Sequence, residues 1–390
     1  MPEGKLITAK RVYWTAFIGL FFDYYDLYLF IYLEKVLAQH FGLNAAASNT
    51  LQFVGIAGVG VGALLFGYLA DRFGRGRMML IVFVVYVIGI AGISLSTTFS
   101  SVVTWRLVAS LALGAEWGIS HAFVSEHVSR EKRYRFAALL QFSILGGLLA
   151  AMASRYLLPH VGWRPLFAGS IIPVATLSIV RWRWLAKGVR SSELSAESVE
   201  SRAEGVKLRT EGRPVALVGP FLRCLGIASL TIASGTVNVF FAKELPQSTW
   251  YTVLFWGNVA PGMLLGAWIV RKLGVRRALI GYAIGLVLLS AFAWTSAWEE
   301  RKLAFALTLP LLNGIPFGLM GAYFNDVFVR YRTMLSGTAY NVGRILAAFA
   351  PVLITALGLH SGGNYFLFTA VLGIGVLAIG WGMRETSSDL

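Results

Sequence analysis

The sequence predicts an all-α membrane protein with twelve transmembrane helices in two pseudo-symmetric six-helix bundles. Hydrophobic residues fill 57% of its 390 positions and charged residues only 14%, whereas a soluble domain carries about 25% charge. A helix needs about 20 apolar residues to cross a bilayer, and continuous runs of that length exclude a β-barrel, whose segments alternate over about 10 residues. Twelve such runs lie at residues 12–37, 46–70, 78–97, 100–127, 134–158, 164–186, 215–242, 249–270, 276–297, 302–327, 333–358 and 364–383.

The chain reads as two related halves joined by a linker. Residues 187–213 are polar and mixed in charge, so we expect a cytoplasmic linker between an N-terminal bundle, residues 1–186, and a C-terminal bundle, residues 214–390. A constant offset of 200 residues relates Gly114 and Gly118 to Gly314 and Gly318, Ser125-Glu126 to Asn325-Asp326, Arg130 and Lys132 to Arg330 and Arg332, and Gln141 to Asn341. Repeated halves around a midplane site are a common transporter design.

Positive charge accumulates on one side of the predicted membrane. A net charge of +15 would suggest nucleic-acid binding in a soluble protein, but here the basic residues occupy alternate connections. They are Arg72, Arg75 and Arg77; Arg130, Lys132, Arg133 and Arg135; Arg271, Lys272, Arg276 and Arg277; and Arg330 and Arg332. The positive-inside rule places this side and both termini in the cytoplasm. We therefore expect a multi-pass protein of the cell membrane, surrounded by lipid, without a nucleic-acid partner.

Ionisable side chains at mid-depth predict a proton-coupling site, because charge inside a bilayer is costly. Asp23 and Asp26 lie three residues apart in the first helix, on neighbouring positions of one face. Two carboxylates in a poorly hydrated site repel each other, which favours binding of a proton. Arg106 and Glu116 of the fourth helix add a cationic partner and a third carboxylate. Permanent interhelical ion pairs are the alternative, and the sequence leaves open which acid carries the proton.

Arg344 in the eleventh helix is a candidate substrate-binding residue. It lies at mid-depth in a helix that contains no acidic residue, and a guanidinium suits forked recognition of a carboxylate. An acid on another helix is the alternative partner. The other candidates for lining a polar cavity are Arg106, Tyr24, Tyr28, Trp117, Tyr340 and Asn341. Simple packing is the alternative for the aromatic members of this group.

Signals of an enzyme or a cofactor site are missing from the sequence. The five histidines form no metal-ligand spacing, and no nucleophile is paired with a base. His121 in the fourth helix is expected to be a hydrogen-bonded core histidine. The run Gly58-Val-Gly60-Val-Gly62 satisfies a loose dinucleotide-binding pattern, but it lies inside an apolar span and therefore predicts close helix packing. We expect no metal and no cofactor other than protons.

The charged hairpin Gly67-x-Leu-Ala-Asp71-Arg72-x-Gly74-Arg75-x-Arg77 resembles the signature of the major facilitator superfamily, and residues 267–277 carry a weaker copy. Residues 18–26, IGLFFDYYD, and 114–118, GAEWG, are similar to its metabolite:proton and organic-acid symporters. The resemblance covers nearly the whole chain. It implies the major facilitator fold, an alternating-access carrier driven by protons, and a monomer by default.

The resemblance also implies roles for charged residues. Asp26 would pair with Arg106 for coupling. A cytoplasmic gate that stabilises the outward-open state would contain Asp71, Arg72, Arg75, Glu126, Arg133, Asp326 and Arg330. The chain departs from the family pattern at Arg271, which replaces the acid of the second hairpin, and in lacking a Pro-Glu-Ser motif after the sixth helix.

These features predict a secondary active transporter that couples proton flow to symport of a small organic anion. Two alternatives stay open. One is a proton-independent uniporter or exporter of a small metabolite or sugar. The other is a transport-inactive membrane sensor that signals through the linker. The sequence does not identify the substrate.

Overall fold

The computed structural model describes residues 9–176, 178–180, 182–183, 217–242, 249–294, 298–328, 330–358 and 364–383. The predicted linker at residues 187–213 lies outside the described residues. The helices are α1 (Ala9–His40), α2 (Ala45–Phe73), α3 (Arg75–Leu95), α4 (Phe99–His127), α5 (Arg133–Gln141), α6 (Leu145–Tyr156), α7 (Leu158–Val161), α8 (Trp163–Val180), α9 (Val218–Ala242), α10 (Thr249–Trp294), α11 (Trp298–Val327), α12 (Arg332–Ala347), α13 (Ala350–Ala356) and α14 (Asn364–Trp381).

Helices in the described part of the chain overlap each of the twelve predicted segments. Ten described stretches are long and apolar enough to cross a membrane. One of them, Gly257–Phe292, joins the eighth and ninth predicted segments, and the twelfth is a shorter apolar helix, Phe366–Trp381. The fifth segment comprises α5 and α6, separated by a 3-10 turn at Phe142–Ile144. The all-helical membrane fold is therefore confirmed.

The helices pack as two bundles that meet along a central interface. In the first half, α4 packs against α1, α2 and α3, and α1 packs against α6. In the second half, α10 packs against α11 and α14, and α9 packs against α12 and α14. The bundles meet where α2 and α4 contact α12 and where α5 contacts α10 and α11. Side chains from both halves can therefore face one another at mid-depth.

Close helix crossings show the duplication in three dimensions. A β-carbon at Gly62 or Gly114 would overlap the backbone where α2 crosses α4. Equivalent overlaps would occur at Gly262 and Gly314, where α10 crosses α11. The contacted carbonyl groups also repeat at the offset of 200 residues, at Leu111 and Val59 in one half and Leu311 and Val259 in the other. The glycine-rich run of α2 is therefore a packing surface, as predicted.

The two charged hairpins turn at equivalent glycines. Gly74 lies between α2 and α3 with φ 94°, and Gly274 breaks α10 with φ 81°. Residues with side chains rarely adopt this region of backbone space, so glycine is favoured at both turns. The hairpins bring basic residues of both halves to one end of the molecule, which we call the charged end.

Candidate functional site

A cavity lies at mid-depth between the two bundles. It is a partly open cleft with a cavity volume of about 20 Å³, lined by Leu20, Asp23, Tyr24, Leu27, Leu113, Trp117 and Arg344. These residues come from α1, α4 and α12. With a rise of 1.5 Å per residue, Asp23 is roughly 21 Å along α1 and Arg344 roughly 18 Å along α12 from the charged end. A carboxylate and a guanidinium of opposite bundles therefore meet at similar depth.

Tyr340 connects the two bundles beside this cavity. Its ring stacks on Trp117 of α4 with a centroid separation of 3.8 Å and an interplanar angle of 2°. Its hydroxyl lies 3.2 Å from the hydroxyl of Tyr24 on α1. The guanidinium carbon of Arg344, one turn further along α12, is 5.9 Å from the ring centroid of Tyr340. The structure thus brings together four predicted substrate-site residues in one aromatic and cationic cluster.

The two aspartates of α1 occupy different environments. Asp23 is half-buried and faces the cavity. Asp26 is fully buried and accepts a hydrogen bond of 3.4 Å from Ser170 on α8. The structure therefore places Asp23 on the cavity and Asp26 beside Ser170. Because they are three residues apart, the two side chains leave α1 about 60° apart around its axis, which directs them toward different neighbours.

Arg106 lies near Asp26 but forms no direct ion pair with it in the described part of the chain. The two side chains are close enough for electrostatic attraction. The guanidinium instead lies 3.9 Å from the ring centroid of Phe30, and its Nε would be 2.8 Å from a β-carbon at Gly55. The guanidinium of Arg106 therefore packs between the face of the Phe30 ring and the space left by the missing side chain of Gly55. The family resemblance implies an ion pair between Asp26 and Arg106. Within the residues that the structure describes, the two side chains interact electrostatically without a direct hydrogen bond.

The remaining mid-depth candidates make structural contacts. Glu116 is fully buried and accepts a hydrogen bond of 2.9 Å from Ser120 of its own helix. Asn341 donates to the backbone carbonyl groups of Gly114 and Gly337 at 2.9 and 3.0 Å, so its amide joins α12 to α4. The ring of Tyr28 packs against Gly147 of α6. None of these three belongs to the cavity lining.

Charged contacts close the interface at the charged end. Asp71 of α2 accepts hydrogen bonds from the backbone N–H groups of Thr333 and Met334 at 3.1 and 2.9 Å, which places its carboxylate at the N-terminus of α12. Arg75 donates to Asp71 at 2.8 Å and lies 3.0 Å from Glu126. A helix N-terminus attracts anions because its N–H groups lack helical partners. One bundle therefore caps a helix of the other.

A second ion pair joins the bundles beside this contact. Arg133 of α5 donates to Asp326 of α11 at 2.8 Å, and Arg332 of α12 lies 3.8 Å from Glu126. Arg72 and Arg330, also predicted for the gate, are exposed and lie instead over Phe73 and Tyr331. Arg332 was predicted only as a basic cytoplasmic residue, and the contribution of the α12 backbone was missed because backbone donors leave no signal in the sequence.

Comparisons with known proteins agree with this architecture. The family model described as Major Facilitator Superfamily matches residues 16–351. The chain is 27% identical over 379 residues to the cis,cis-muconate transport protein of Acinetobacter baylyi, covering 94% of this chain and 91% of that one. It is 25% identical over 409 residues to the niacin transporter NiaP of the same organism, covering 95% and 92%.

Solved structures show the same fold. A structure of the proton:xylose symporter XylE aligns with a TM-score of 0.73 at 18% identity, covering 96% of this chain and 95% of that chain. Twelve predicted spans, a duplicated interface and a family match over most of the chain lead to one conclusion. The protein belongs to the Major Facilitator Superfamily and is a multi-pass membrane transporter, not an enzyme.

Proposed function

We propose that the protein is a proton-coupled symporter of a small organic acid. It would act as a monomer in the cell membrane, with both termini in the cytoplasm. One observation carries the proposal: Asp23 and Arg344 line the same cavity beside the stacked rings of Trp117 and Tyr340. Relatives with transport roles for muconate and niacin support a carboxylate substrate with a flat, unsaturated frame.

Arg344 is the anchor for the substrate carboxylate. Its guanidinium can offer two parallel N–H groups to one carboxylate. Trp117 and Tyr24, which share the cavity lining, provide an aromatic face and a hydroxyl for the body of the substrate. A planar substrate that stacks on such a face gains interaction free energy beyond that expected from the apolar area it buries. The cavity thus favours an anion with an apolar, flat body.

Asp23 is the first candidate for proton binding, because it lines the cavity that we propose for the substrate. Asp26 and Arg106 would respond through the electrostatic interaction described above. A proton on a carboxylate removes negative charge from the bilayer interior and lowers the cost of moving between states. One charge crossing 100 mV contributes about 2.3 kcal/mol, which is sufficient to concentrate substrate.

Transport requires the charged end to open after the substrate has bound. In the present state, Asp71 and Arg133 hold the bundles together at that end. The substrate would therefore enter from the opposite end. A ligand shifts this equilibrium only by its difference in affinity for the two states. Release at the charged end then delivers substrate and proton to the cytoplasm.

Uptake by proteoliposomes under an imposed pH gradient tests the proposal. We would screen monocarboxylates, dicarboxylates, aromatic acids, amino acids and sugars. An organic acid should accumulate only with the gradient, and a protonophore should abolish accumulation. Uptake restricted to a neutral sugar would refute the organic-acid assignment.

Variants of α1 test the coupling step. Asp23→Asn and Asp26→Asn should abolish gradient-driven accumulation but preserve exchange between two substrate pools. Glu34→Gln is the matched control, because it removes a carboxylate of α1 about two turns beyond Asp26. Normal accumulation by both aspartate variants would show that these residues do not couple transport to protons.

Arg344→Lys tests the anchor while keeping its positive charge. Lysine cannot reproduce the forked geometry, and hydrogen bonds to charged groups contribute about 1.5–3 kcal/mol. We expect KM for the transported acid to rise about tenfold or more. An unchanged KM would assign the carboxylate to another residue.

A further inference from the structure

Two buried amide side chains occupy equivalent positions in the two halves of the chain. Gln141 ends α5 and Asn341 lies in α12, at the same offset of 200 residues that relates the hairpins. The amide nitrogen of Gln141 donates to the Phe317 carbonyl group of α11 at 3.2 Å. That of Asn341 donates to the Gly114 carbonyl group of α4 at 2.9 Å. Each amide therefore binds the backbone of the opposite bundle.

The surroundings of both amides fix their orientation. The nitrogen of Asn341 faces two carbonyl groups, those of Gly114 and Gly337, at 2.9 and 3.0 Å. A carbonyl group can only accept a hydrogen bond, so the NH2 end of the amide points toward them. The oxygen of Gln141 interacts with the imidazole of His121, which leaves its nitrogen for the opposite bundle. Both contacts are therefore directional, and both cross the interface.

The two amides lie between the cavity and the charged end. At a rise of about 1.5 Å per residue, Gln141 is roughly 12 Å along α5 and Asn341 roughly 14 Å along α12 from the charged end, nearer to it than Arg344. Backbones of the two bundles touch beside them, because a β-carbon at Gly118 would lie 3.0 Å from the α-carbon of Gly337. Opening of the charged end must therefore break both amide contacts.

We propose that Gln141 and Asn341 are positioning residues for transport, a duplicated pair of amide contacts that sets the balance between the closed and open forms of the charged end. Neither residue is among the side chains that line the described cavity, so both act on the conformational equilibrium and not on the substrate itself. The inference goes beyond the proposed function, because it holds whatever substrate the protein carries.

The chemistry of these contacts suits an interface that must open repeatedly. Hydrogen bonds between neutral groups stabilise a structure less than those to charged groups, because water replaces them readily when they break. The charged contacts of Asp71 and Arg133 therefore supply most of the closure at the charged end itself. The amides extend the closure toward the cavity at a low cost of opening.

The contact of Asn341 also fixes part of the cavity. This residue lies on α12 between Tyr340 and Arg344, so its bond to α4 holds both of them close to Trp117 while the charged end is closed. Loss of the bond should lower the population of molecules that present the assembled cavity. The apparent affinity for a substrate then falls in proportion to that population.

Spin-label distances in the full-length protein test the pair without any substrate. Asn341→Leu and Gln141→Met remove the donors at nearly constant side-chain volume. Labels at Arg72→Cys and Arg330→Cys, on opposite bundles, report the ratio of closed to open molecules after Cys224→Ser.

Each substitution should shift this ratio toward the open form by roughly two- to tenfold, the range of a neutral hydrogen bond. The double variant should shift it by about the product of the two effects, because the contacts share no partner.

Asn258→Leu is the matched control. The amide nitrogen of Asn258 on α10 donates to the Leu307 carbonyl group of α11 at 3.2 Å, so this contact lies within one bundle. The control should lower the melting temperature and leave the distance distribution unchanged. Asn341→Ala, which introduces no bulk, serves if the leucine variant does not fold.

Three results would overturn the inference. One is an unchanged ratio in both single variants, and another is an equal shift in Asn258→Leu. The third is a double variant that shifts no further than the single ones, which would contradict a pair of separate contacts. Because the distances are measured without substrate, failure of the organic-acid assignment leaves this test unaffected.

Discussion

Replacing Asp71 by asparagine would weaken the closure of the charged end without changing the size of the side chain. The carboxylate accepts hydrogen bonds from the N–H groups of Thr333 and Met334 and from Arg75, at 3.1, 2.9 and 2.8 Å. Only 9% of the side chain is exposed, so solvent screens these interactions weakly. Asparagine keeps one acceptor oxygen but turns its NH2 group toward the remaining donors.

The magnitude follows from the loss of charge. Hydrogen bonds to charged groups contribute about 1.5–3 kcal/mol each, and neutral ones about 0.5–1.5 kcal/mol. Loss of one bond and weakening of the others should destabilise the closed state by about 3 kcal/mol. This shifts the ratio of closed to open molecules roughly hundredfold. The carrier should then rest with its charged end open.

Distance measurements between spin labels detect this shift. Labels at Arg72→Cys and Arg330→Cys report on opening, because both positions are exposed and lie on opposite bundles. Cys224, the one native cysteine, is buried and can be replaced by serine. Asp71→Asn should lengthen and broaden the distance distribution. Glu131→Gln, which removes an exposed charge near the same end, should leave the distribution unchanged; the same distribution in both variants would refute the capping interpretation.

Two further predictions follow from packing. Gly62→Ala should lower the melting temperature, because its β-carbon would overlap the backbone of α4 and such overpacking costs about 1–3 kcal/mol. Gly169→Ala is the control in the same melting experiment, because a β-carbon there would meet no atom within 4 Å. Tyr340→Phe removes the hydroxyl contact with Tyr24 but keeps the stack on Trp117, so KM should change only a few-fold. Tyr340→Leu should raise KM clearly more than Tyr340→Phe, and equal effects would show that the stack does not shape the site.

Much of the architecture was predictable from local patterns. Apolar runs gave the number of spans, since each helix must satisfy its own backbone hydrogen bonds in lipid. The offset of 200 residues anticipated paired crossings at Gly62 and Gly262. Asp71 of the first hairpin and Asp326 near the end of α11, both predicted for the gate, contact residues of the opposite bundle.

The fine structure of the site was less predictable, because spacing along one helix does not reveal which helix faces it. The spacing of Asp26 from Asp23 predicted a shared helical face, but not the hydrogen bond of Asp26 with Ser170 on α8. Asn341 was expected to bind substrate, yet its amide donates to the Gly114 carbonyl group. His121 was expected to be a hydrogen-bonded core histidine; it is buried and interacts with Gln141, but its packing against Gly321 of α11 was not predicted. Each of these outcomes depends on a contact between residues distant in sequence.

Composition, apolar runs and charge placement were sufficient to predict a duplicated, helical membrane protein, since burial in lipid constrains each segment independently; the family resemblance added the transporter role. The tertiary structure decided how the mid-depth charges are distributed: Asp23 and Arg344 on the cavity, Asp26 with Ser170, and Arg106 against Phe30. The reason is geometric. Glycines set how closely the helices cross, and a change of a few ångströms in a crossing determines whether two charges form a pair or leave space for a substrate.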